Sequence, residues 1–400
     1  MPLVSIILPT YNRSDTLMRA IASVQNQTFQ DWELIVVDDG STDNTVSLLT
    51  GLDPRLTVIC QPNQGTAGAR NTGLTRAVGQ YVSFLDSDDE WLPHHLELSV
   101  AFLQAFPEED FVTAELWEDL GKGRIIKHYQ IETSDWYPKM AERVGSCMLD
   151  LPAGEQDNYL RVYESRQPIG EWGQSIVART PYQNVFHYRG EIFEQLRWGF
   201  LMCLQPTMIT KRAIDAIGGF DPGYRIASDF GFAAALCRRF HANFLSIPAC
   251  IKHELTPEGN PLAEDHVATG ETAYLMGQDA LLYLEKLFCN NRRNDQELAA
   301  LRGWRQFALA QIAIANGNRS EALQYLEESS RNFPALWRSR VLGLVVGLVP
   351  NGTWLKRWYG ILFKASYVWG QLVRKELSVT NVLHKIGQRL RPVPRPSTGI

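Results

Sequence analysis

Short apolar runs alternate with amphipathic stretches along the first ninety residues of the chain. Four strands are predicted from the apolar runs, at Val4–Leu8, Glu33–Val37, Leu56–Cys60 and Tyr81–Leu85. Three helices are predicted between them, at Ser14–Gln27 with Ser14 as N-cap, at Asp43–Leu49 and at Ala67–Ala77. The short connections in this alternating order predict an α/β fold, with a mostly parallel sheet flanked by helices.

The pattern weakens between residues 110 and 200, where glycine, aromatic and charged residues follow no sustained period. Order returns as a strand, two helices and a last strand, at Gln205–Thr210, Lys211–Ile217, Asp229–Arg239 and Phe244–Pro248. Six aromatic residues of the irregular stretch are candidates either for internal packing or for stacking on sugar rings, namely Trp117, Trp136, Tyr137, Trp172, Tyr182 and Trp198. We interpret this stretch as the acceptor region.

Beyond about residue 270 the sequence predicts an α-helical C-terminal region. The segment Ala308–Pro334 resembles the second half of a tetratricopeptide repeat. The sequence shows no second copy, and one repeat does not bury its own apolar face. We therefore expect a helical hairpin that packs against another part of the protein.

Charge is distributed unevenly along the chain. The net charge is −5, whereas residues 351–400 contain nine lysines and arginines and one glutamate. The apolar run Val341–Val349 is shorter than the roughly 20 residues of a membrane span, and lysines and arginines interrupt Trp354–Val373. A basic amphipathic tail is predicted, either lying on an anionic membrane surface or packed on the body as a terminal helix. No nucleic-acid-binding module accompanies it.

The chain begins directly with a strand pattern and shows no secretory signal. Its six cysteines form no Cys-x-x-Cys pair and no zinc-type cluster, so they are expected to be buried small apolar residues in a reducing compartment. Both observations favour a cytoplasmic protein, with peripheral contact at the inner face of the membrane.

Two carboxylates follow the fourth predicted strand, in Asp86-Ser87-Asp88. Alternate residues of an extended backbone point to the same side, so this pair is a candidate to bind one divalent cation together with a diphosphate. An acidic N-cap for the next helix would need only one aspartate. His94 and His95 in that helix are expected to lie on the surface.

Asp39 follows the second strand, at a position from which acidic residues of nucleotide folds accept hydrogen bonds from a base or ribose. Its alternative role is that of an ordinary turn residue in Asp38–Ser41. A P-loop is excluded because the sequence lacks Gly-x-x-x-x-Gly-Lys-Ser/Thr. The first strand is not followed by the Gly-x-Gly-x-x-Gly of dinucleotide oxidoreductases.

The glycine-rich segment Gly65–Gly73 opens the third helix. Gly68 and Arg70 allow backbone amides and a guanidinium to approach an anion at the N-terminus of this helix. Close packing of the helix on the sheet explains the same small residues, and the sequence leaves both roles open.

Four motifs therefore occur in order, VSIILPTYNR from Val4, IVVDDGSTD from Ile35, GTAGARNTG from Gly65 and FLDSDDEW from Phe84. With them, residues 2–92 resemble the donor half of a family 2 glycosyltransferase, and the likeness resumes at Gly218–Asp221 and ends near residue 255. The resemblance implies a GT-A fold. It also implies inverting transfer of a sugar from a nucleoside-diphosphate donor, with UDP the most frequent nucleotide of the family.

The resemblance also implies roles for particular residues. By this resemblance, the residues expected to contact the nucleoside are Pro9, Thr10, Tyr11 and Asp39. Asp86 and Asp88 would hold the sugar nucleotide and a divalent metal, Mn²⁺ or Mg²⁺, with Asp88 as the more direct ligand.

The family carries its catalytic base in a Glu-Asp pair after the Gly-Gly-Phe-Asp turn, and the matching residues here are Ser228 and Asp229. Asp229 is therefore the candidate general base, although it is also a candidate N-cap, and the two roles are compatible. His253, after the last predicted strand, is a candidate further metal ligand, while a lone histidine is more often structural.

These expectations divide the chain into a nucleotide-sugar-binding half (1–110), an acceptor-binding and catalytic half with a long insertion (111–265), a helical region (266–340) and the basic tail (341–400). The predicted acceptor is a hydroxyl of a glycan or lipid-linked molecule in polysaccharide biosynthesis. One alternative is a non-catalytic nucleotide-sugar-binding or assembly subunit that acts through its helical region. Another is a nucleotidyltransferase, which would release pyrophosphate.

Overall fold

A single sheet organises the part of the protein that the computed structural model describes, which comprises residues 1–119, 125–126, 158–197, 201–253, 271–288 and 296–348. Its strands are β1 Val4–Thr10, β2 Trp32–Asp38, β3 Leu56–Cys60, β4 Tyr81–Phe84, β5 Glu90–Trp91, β6 Phe111–Asp119, β7 Ile125–Ile126, β8 Ser165–Pro168, β9 Phe186–Gly190, β10 Thr207–Thr210 and β11 Ala242–His253.

The strands lie side by side in the order β3-β2-β1-β4-β10-β6-β11-β9-β8, with β5 beside β11 and β7 beside β6. Strands β3, β2, β1 and β4 are mutually parallel, as are β6 and β11, while β10 and β9 run antiparallel to their neighbours. The predicted mostly parallel sheet is therefore confirmed.

Helices cover both faces of this sheet. They are α1 Leu17–Gln25, α2 Gly65–Arg76, α3 His95–Ala105, α4 Glu171–Val177, α5 Lys211–Ile217 and α6 Ser228–Cys237. Ile6 and Leu8 of β1 pack into the apolar core beneath α1 and α3, whereas Ile7 packs into the opposite core with α2 and α6. Because β1 is covered on both faces, its sequence is a continuous apolar run rather than an alternating one.

Two predicted helices are shorter in the structure. Helix α1 begins at Leu17 with Thr16 as its N-cap, so the prediction of Ser14 as N-cap was wrong, and the Ser14 N–H donates to Asp43 Oδ2 at 3.2 Å. The other carboxylate oxygen of Asp43 accepts from the Thr45 N–H at 2.9 Å, and only a 3₁₀ turn, Val46–Leu49, follows. Such local bonds offer the backbone an alternative to helix.

Strand β11 is longer than predicted, because Pro248 does not end it. The pairing with β6 shifts register on either side of Pro248, which therefore lies in a bulge.

The carbonyl oxygen of Pro248 lies 2.8 Å from His94 Nε2. The prediction that His94 and His95 lie on the surface was wrong, since they are 6% and 1% exposed.

The stretch between 110 and 200, which showed no pattern, contributes to the sheet where it is described. Strands β8 and β9 extend the sheet beyond β11, and Trp172 of α4 packs edge-on against Phe102 at 5.4 Å. Tyr182 lies 5.9 Å from Trp117, ring centre to ring centre. For these residues the contacts are those of internal packing. Trp136, Tyr137 and Trp198 lie outside the described residues.

The described residues of the C-terminal region form the helices α7 Glu271–Tyr283, α8 Gln296–Ala315, α9 Arg319–Asn332 and α10 Trp337–Leu348, and a π turn at Leu284–Phe288 extends α7. The predicted hairpin is formed by α8 and α9, whose connection ends at Asn318, the side chain of which accepts from the Glu321 N–H at 3.3 Å. Leu298 and Leu301 of α8 join the core of the sheet domain. The hairpin is thus packed against the body, as expected.

Three of the cysteines lie in the core, at 203, 237 and 250, whereas Cys60 is exposed, contrary to expectation. Cys147 and Cys289 lie outside the described residues, as does the predicted tail beyond residue 348. Among the described helices, none has both the length and the apolar character required to cross a membrane.

His95 makes stability depend on pH. Its ring packs 4.6 Å from Trp91, and neither ring nitrogen has a hydrogen-bond partner in the described part of the chain. Burial lowers the pKa of His95 from 6.5 to about 3. Because the unfolded chain binds this proton more readily, the stabilising contribution is complete above about pH 6.5 and is lost as the pH falls.

We therefore expect His95→Leu to become more stable relative to the wild type by about 2 kcal/mol when the pH is lowered from about 7.5 to about 5. Urea denaturation at both pH values measures this difference in free energy of unfolding. His241→Leu is the control, because it makes the same replacement at a half-exposed position. An equal dependence in His95→Leu and wild type would contradict the assignment to His95.

Candidate active site

An open cleft lies at the edge of the sheet where the carboxyl ends of β1, β2 and β4 meet. It is lined by Pro9, Thr10, Tyr11, Arg13, Asp39, Thr66, Ala69, Arg70, Asp86, Ser87, Asp88, Ile226 and Asp229. The structure thus brings together every candidate site residue except Gly68 and His253. Parallel sheets bind ligands at this edge because their connecting turns converge there.

Hydrogen bonds join the turn after β1 to the turn after β2. Asn12 adopts a left-handed conformation with φ 50°, and its N–H donates to Ser41 Oγ at 2.9 Å. Its side-chain oxygen accepts from the Thr42 N–H at 2.8 Å. Asn tolerates this backbone region better than most residues. The two turns consequently hold Tyr11 and Asp39 on neighbouring walls of the cleft.

Asp39 is fixed in one orientation. Its Oδ1 accepts from Gln61 Nε2 at 2.7 Å and from the Gln64 N–H at 2.9 Å. Gly40 has φ +85°, and a Cβ there would lie 3.1 Å from the Asn63 nitrogen, so the turn closes tightly on the segment that precedes α2. With Oδ1 engaged by the protein, Oδ2 is the oxygen of Asp39 that remains to accept a hydrogen bond from a ligand.

Asp86 is bound on both oxygens. Arg70, whose side chain is 4% exposed, donates to Oδ1 at 2.7 Å, and Gln205 Nε2 donates to Oδ2 at 2.7 Å. Sequence analysis did not identify Gln205 as a site residue. It precedes β10, far along the chain from the aspartate motif, and no local pattern singles out such a glutamine.

Asp88 faces a second arginine. Arg13 Nε lies 3.5 Å from Asp88 Oδ2, with the two side chains 38% and 25% exposed. Burial raises the pKa of Asp88, the negative charge of Asp86 raises it further, and Arg13 opposes both effects. Arg13 is the last residue of the first motif, and its side chain was not predicted to reach this aspartate.

The donor set of this edge suits a hard divalent cation. Asp86 and Asp88 offer carboxylate oxygens, and a cation that also binds a diphosphate needs only one or two of them. Burial and the negative charge of Asp86 both raise the pKa of Asp88, and a bound cation would offset the negative charge of the two carboxylates. Within the described residues, no three His, Cys, Asp or Glu side chains converge into a complete cation site. These two carboxylates therefore fit a cation held jointly with the ligand.

Asp229 lines the same cleft and lies in the first turn of α6. It was a candidate N-cap, but the N-cap is Ala227, so that prediction was wrong. Burial raises the pKa of Asp229, the Arg70 charge lowers it, and Asp86 raises it. A carboxylate with a raised pKa that lines a cleft has the properties of a proton acceptor.

The turn before α6 is attached to the donor half through Asn71. Asn71 Nδ2 donates to the Phe220 carbonyl at 2.8 Å, and the Phe220 N–H donates to Asn71 Oδ1 at 2.7 Å. Both bonds join α2 to the Gly218–Asp221 turn across the chain. Asn71, which follows Arg70 in α2, therefore ties the donor half to this turn.

Gly68 and His253 do not line the cleft. A Cβ on Gly68 would lie 2.6 Å from Gln64 Cβ, so this glycine gives room for the first turn of α2. The ring nitrogens of His253 lie 3.3 Å from Glu90 and 3.4 Å from Asp119. Roles for Gly68 in anion binding and for His253 in metal binding remain predictions.

Comparison with known proteins identifies a family whose sequences resemble this chain. The sequence model described as Glycosyl transferase family 2 matches residues 5–164. The chain is 45% identical over 103 residues to the Escherichia coli UDP-Glc:alpha-D-GlcNAc-diphosphoundecaprenol beta-1,3-glucosyltransferase WfgD, a match that covers 25% of this chain and 41% of WfgD. It spans less than half the length of that protein and of two other curated relatives, with covered shares of 41–45%.

A second Escherichia coli protein named for the same activity, WfaP, is 32% identical over 176 residues, which are 40% of this chain and 68% of WfaP. Among solved structures, residues 1–349 of S. aureus TarS in complex with UDP-GlcNAc superpose with a TM-score of 0.50 at 16% identity, covering 89% of this chain and 91% of that one. At that identity the likeness concerns the fold, which is of the predicted GT-A type. The sequence matches and the shared motif order show that the chain belongs to glycosyl transferase family 2.

Proposed function

We propose that the protein is an inverting glycosyltransferase that moves a sugar from a UDP-sugar to a hydroxyl of a lipid-linked glycan. The observation that carries this proposal is the convergence of Asp39, Arg70, Asp86, Asp88 and Asp229 on one cleft. The choice of UDP and of a lipid-linked acceptor is supported by the activities for which WfgD and WfaP are named.

The donor half would bind the nucleotide by its strand-end turns. Pro9, Thr10 and Tyr11 form one wall for the nucleoside, and Asp39 Oδ2 accepts a hydrogen bond from it. Arg70, held at the cleft by its 2.7 Å bond to Asp86, supplies positive charge toward the diphosphate. Gly68 belongs to the same helix turn and leaves room there for the side chain of Gln64.

Asp229 would act as the general base. As the acceptor oxygen forms a bond to the anomeric carbon, its proton passes to the Asp229 carboxylate. The bond between the anomeric carbon and the diphosphate oxygen breaks on the opposite side, and UDP leaves with that electron pair. One displacement of this kind inverts the anomeric configuration.

Asp86 and Asp88 would hold a divalent cation, Mn²⁺ or Mg²⁺. When bound, such a cation neutralises charge that accumulates on the departing diphosphate. Arg13 and Arg70, which pair with these aspartates at 3.5 and 2.7 Å, keep both carboxylates oriented toward the cleft in the absence of ligand.

Nucleotide binding tests the donor site. In calorimetric titrations of UDP, dTDP, GDP and CMP, we expect UDP to bind most tightly and Mn²⁺ to strengthen its binding about tenfold or more. In Asp88→Ala the strengthening by Mn²⁺ should disappear, because one of the two carboxylates is lost. Asp215→Ala, which removes an exposed carboxylate from α5, is the matched control. Failure of every nucleotide to bind the folded wild type would overturn the proposal.

Turnover tests the base. Asp229→Asn keeps the size of the side chain but does not accept a proton, so kcat should fall by about 10² to 10⁴ while UDP affinity is retained. UDP release from UDP-sugars in the presence of a diphosphoundecaprenol-linked acceptor measures this. Binding without turnover in the wild type would instead support a non-catalytic nucleotide-sugar-binding subunit, and release of pyrophosphate a nucleotidyltransferase.

A lipid-linked acceptor places the protein at a membrane surface, and we propose that it works at the cytoplasmic face through residues 351–400. Binding to vesicles containing anionic lipid should exceed binding to neutral vesicles, since those residues carry nine basic side chains and one acidic. The difference should diminish as ionic strength rises, because salt screens it. Cosedimentation measures both, and equal binding to the two vesicle types would contradict the electrostatic contact.

A further inference from the structure

The backbone just before helix α6 is held by a side chain from the C-terminal helices. The N–H groups of Ile226 and Ala227 both donate to Asp279 Oδ2, at 2.7 and 2.9 Å. Asp279 belongs to α7 and is 3% exposed. Ala227, the N-cap residue of α6, has no side chain that could make such a bond.

We propose that Asp279 is a positioning residue that sets the location of the Asp229 carboxylate in the cleft. This inference rests on the proposed function, since it concerns the base of that reaction. Asp279 itself does not line the cleft and is not expected to touch the substrate.

Two physical effects make this contact strong. N–H groups at the start of a helix have no partner within the helix, and a carboxylate is a favourable acceptor for them because it also complements the helix dipole. Hydrogen bonds to an ionised acceptor are stronger than those between neutral groups. Burial of Asp279 excludes water as a competing acceptor.

The contact lies two residues from Asp229. Fixing the peptide groups of Ile226 and Ala227 fixes the direction in which α6 begins, and Asp229 lies in the first turn of that helix. Ile226 also lines the cleft. A small rotation of this backbone would therefore move the carboxylate relative to Asp86 and Arg70.

Two other contacts tie the same helices to this segment, but they differ in kind. Lys286 Nζ lies 2.5 Å from Asp221 Oδ2, with both side chains more than 40% exposed, so solvent weakens the pair. Tyr283 packs edge-on against Phe230, the residue that follows Asp229, with 5.8 Å between the ring centres. Asp279 bonds the backbone directly ahead of the base.

The test compares Asp279→Ala, Asp279→Asn and the matched control Asp215→Ala in the full chain. We expect turnover per UDP-binding site to fall about 10- to 100-fold in Asp279→Ala, because a misplaced base loses reactive geometry. UDP affinity, which depends on the donor half, should stay within about twofold of the wild type. Asp279→Asn keeps a side-chain oxygen that accepts both N–H groups and should recover most of the rate.

Hydrogen exchange gives a measure that does not depend on turnover. Amides of the segment 226–230 should exchange faster in Asp279→Ala than in wild type and remain unchanged in Asp215→Ala. Counting turnover per UDP-binding site separates positioning from loss of folded protein, since unfolding removes binding sites without changing the rate of those that remain.

Turnover per site within about twofold of the wild type in Asp279→Ala would overturn the inference, as would unchanged exchange of these amides. A wild type that binds UDP but turns over no sugar nucleotide would instead overturn the proposed base chemistry. The inference falls with that chemistry, while the exchange result still reports on the hydrogen bonds themselves.

Discussion

The in-register parallel pairing of β1 with β2 and β4 is the constraint on which the site depends. Thr10 pairs with Asp38, and Ile7 with Phe84, so the residues that follow each strand emerge at the same edge. Burial of β1 on both faces holds this register, because a slip of one residue would exchange the two apolar cores. Apolar packing on both faces of β1 therefore brings the acidic turns together at one edge of the sheet.

Charge then determines how that edge is arranged. Arg70 is nearly inaccessible to solvent, and a guanidinium in such a place needs a partner, which Asp86 provides at 2.7 Å. The same arginine lowers the pKa of Asp229 while burial raises it. The guanidinium of Arg70 therefore acts on two carboxylates, those of Asp86 and Asp229, for which we propose different roles. Arg13, which also lines the cleft, lowers the pKa of Asp88 while burial raises it.

Elements governed by local pattern were predictable from the sequence, and β3 and α5 occur with the bounds expected for them. The prediction was less accurate for the helix Asp43–Leu49, where Asp43 accepts the Thr45 N–H and only a 3₁₀ turn follows. The motif aspartates of the cleft were predictable for the same local reason. Gln205 and Asp279 were not, because each acts on a segment about fifty or more residues away and resembles many other polar residues in sequence.

The bulge at Pro248 has a consequence for the last part of β11. Between two register points, β11 advances five residues, from Leu245 to Cys250, while β6 advances two, from Ala114 to Leu116. Between these points β11 therefore advances three residues more than β6, since five minus two is three. Because three is odd, the alternation of side chains between the two faces of the sheet is inverted beyond the bulge. Cys250 consequently lies in the same core as Leu245. Deletion of a single residue there would exchange the faces presented by Lys252 and His253. The number of residues in the bulge thus fixes which face of the sheet each side chain of the following strand segment occupies.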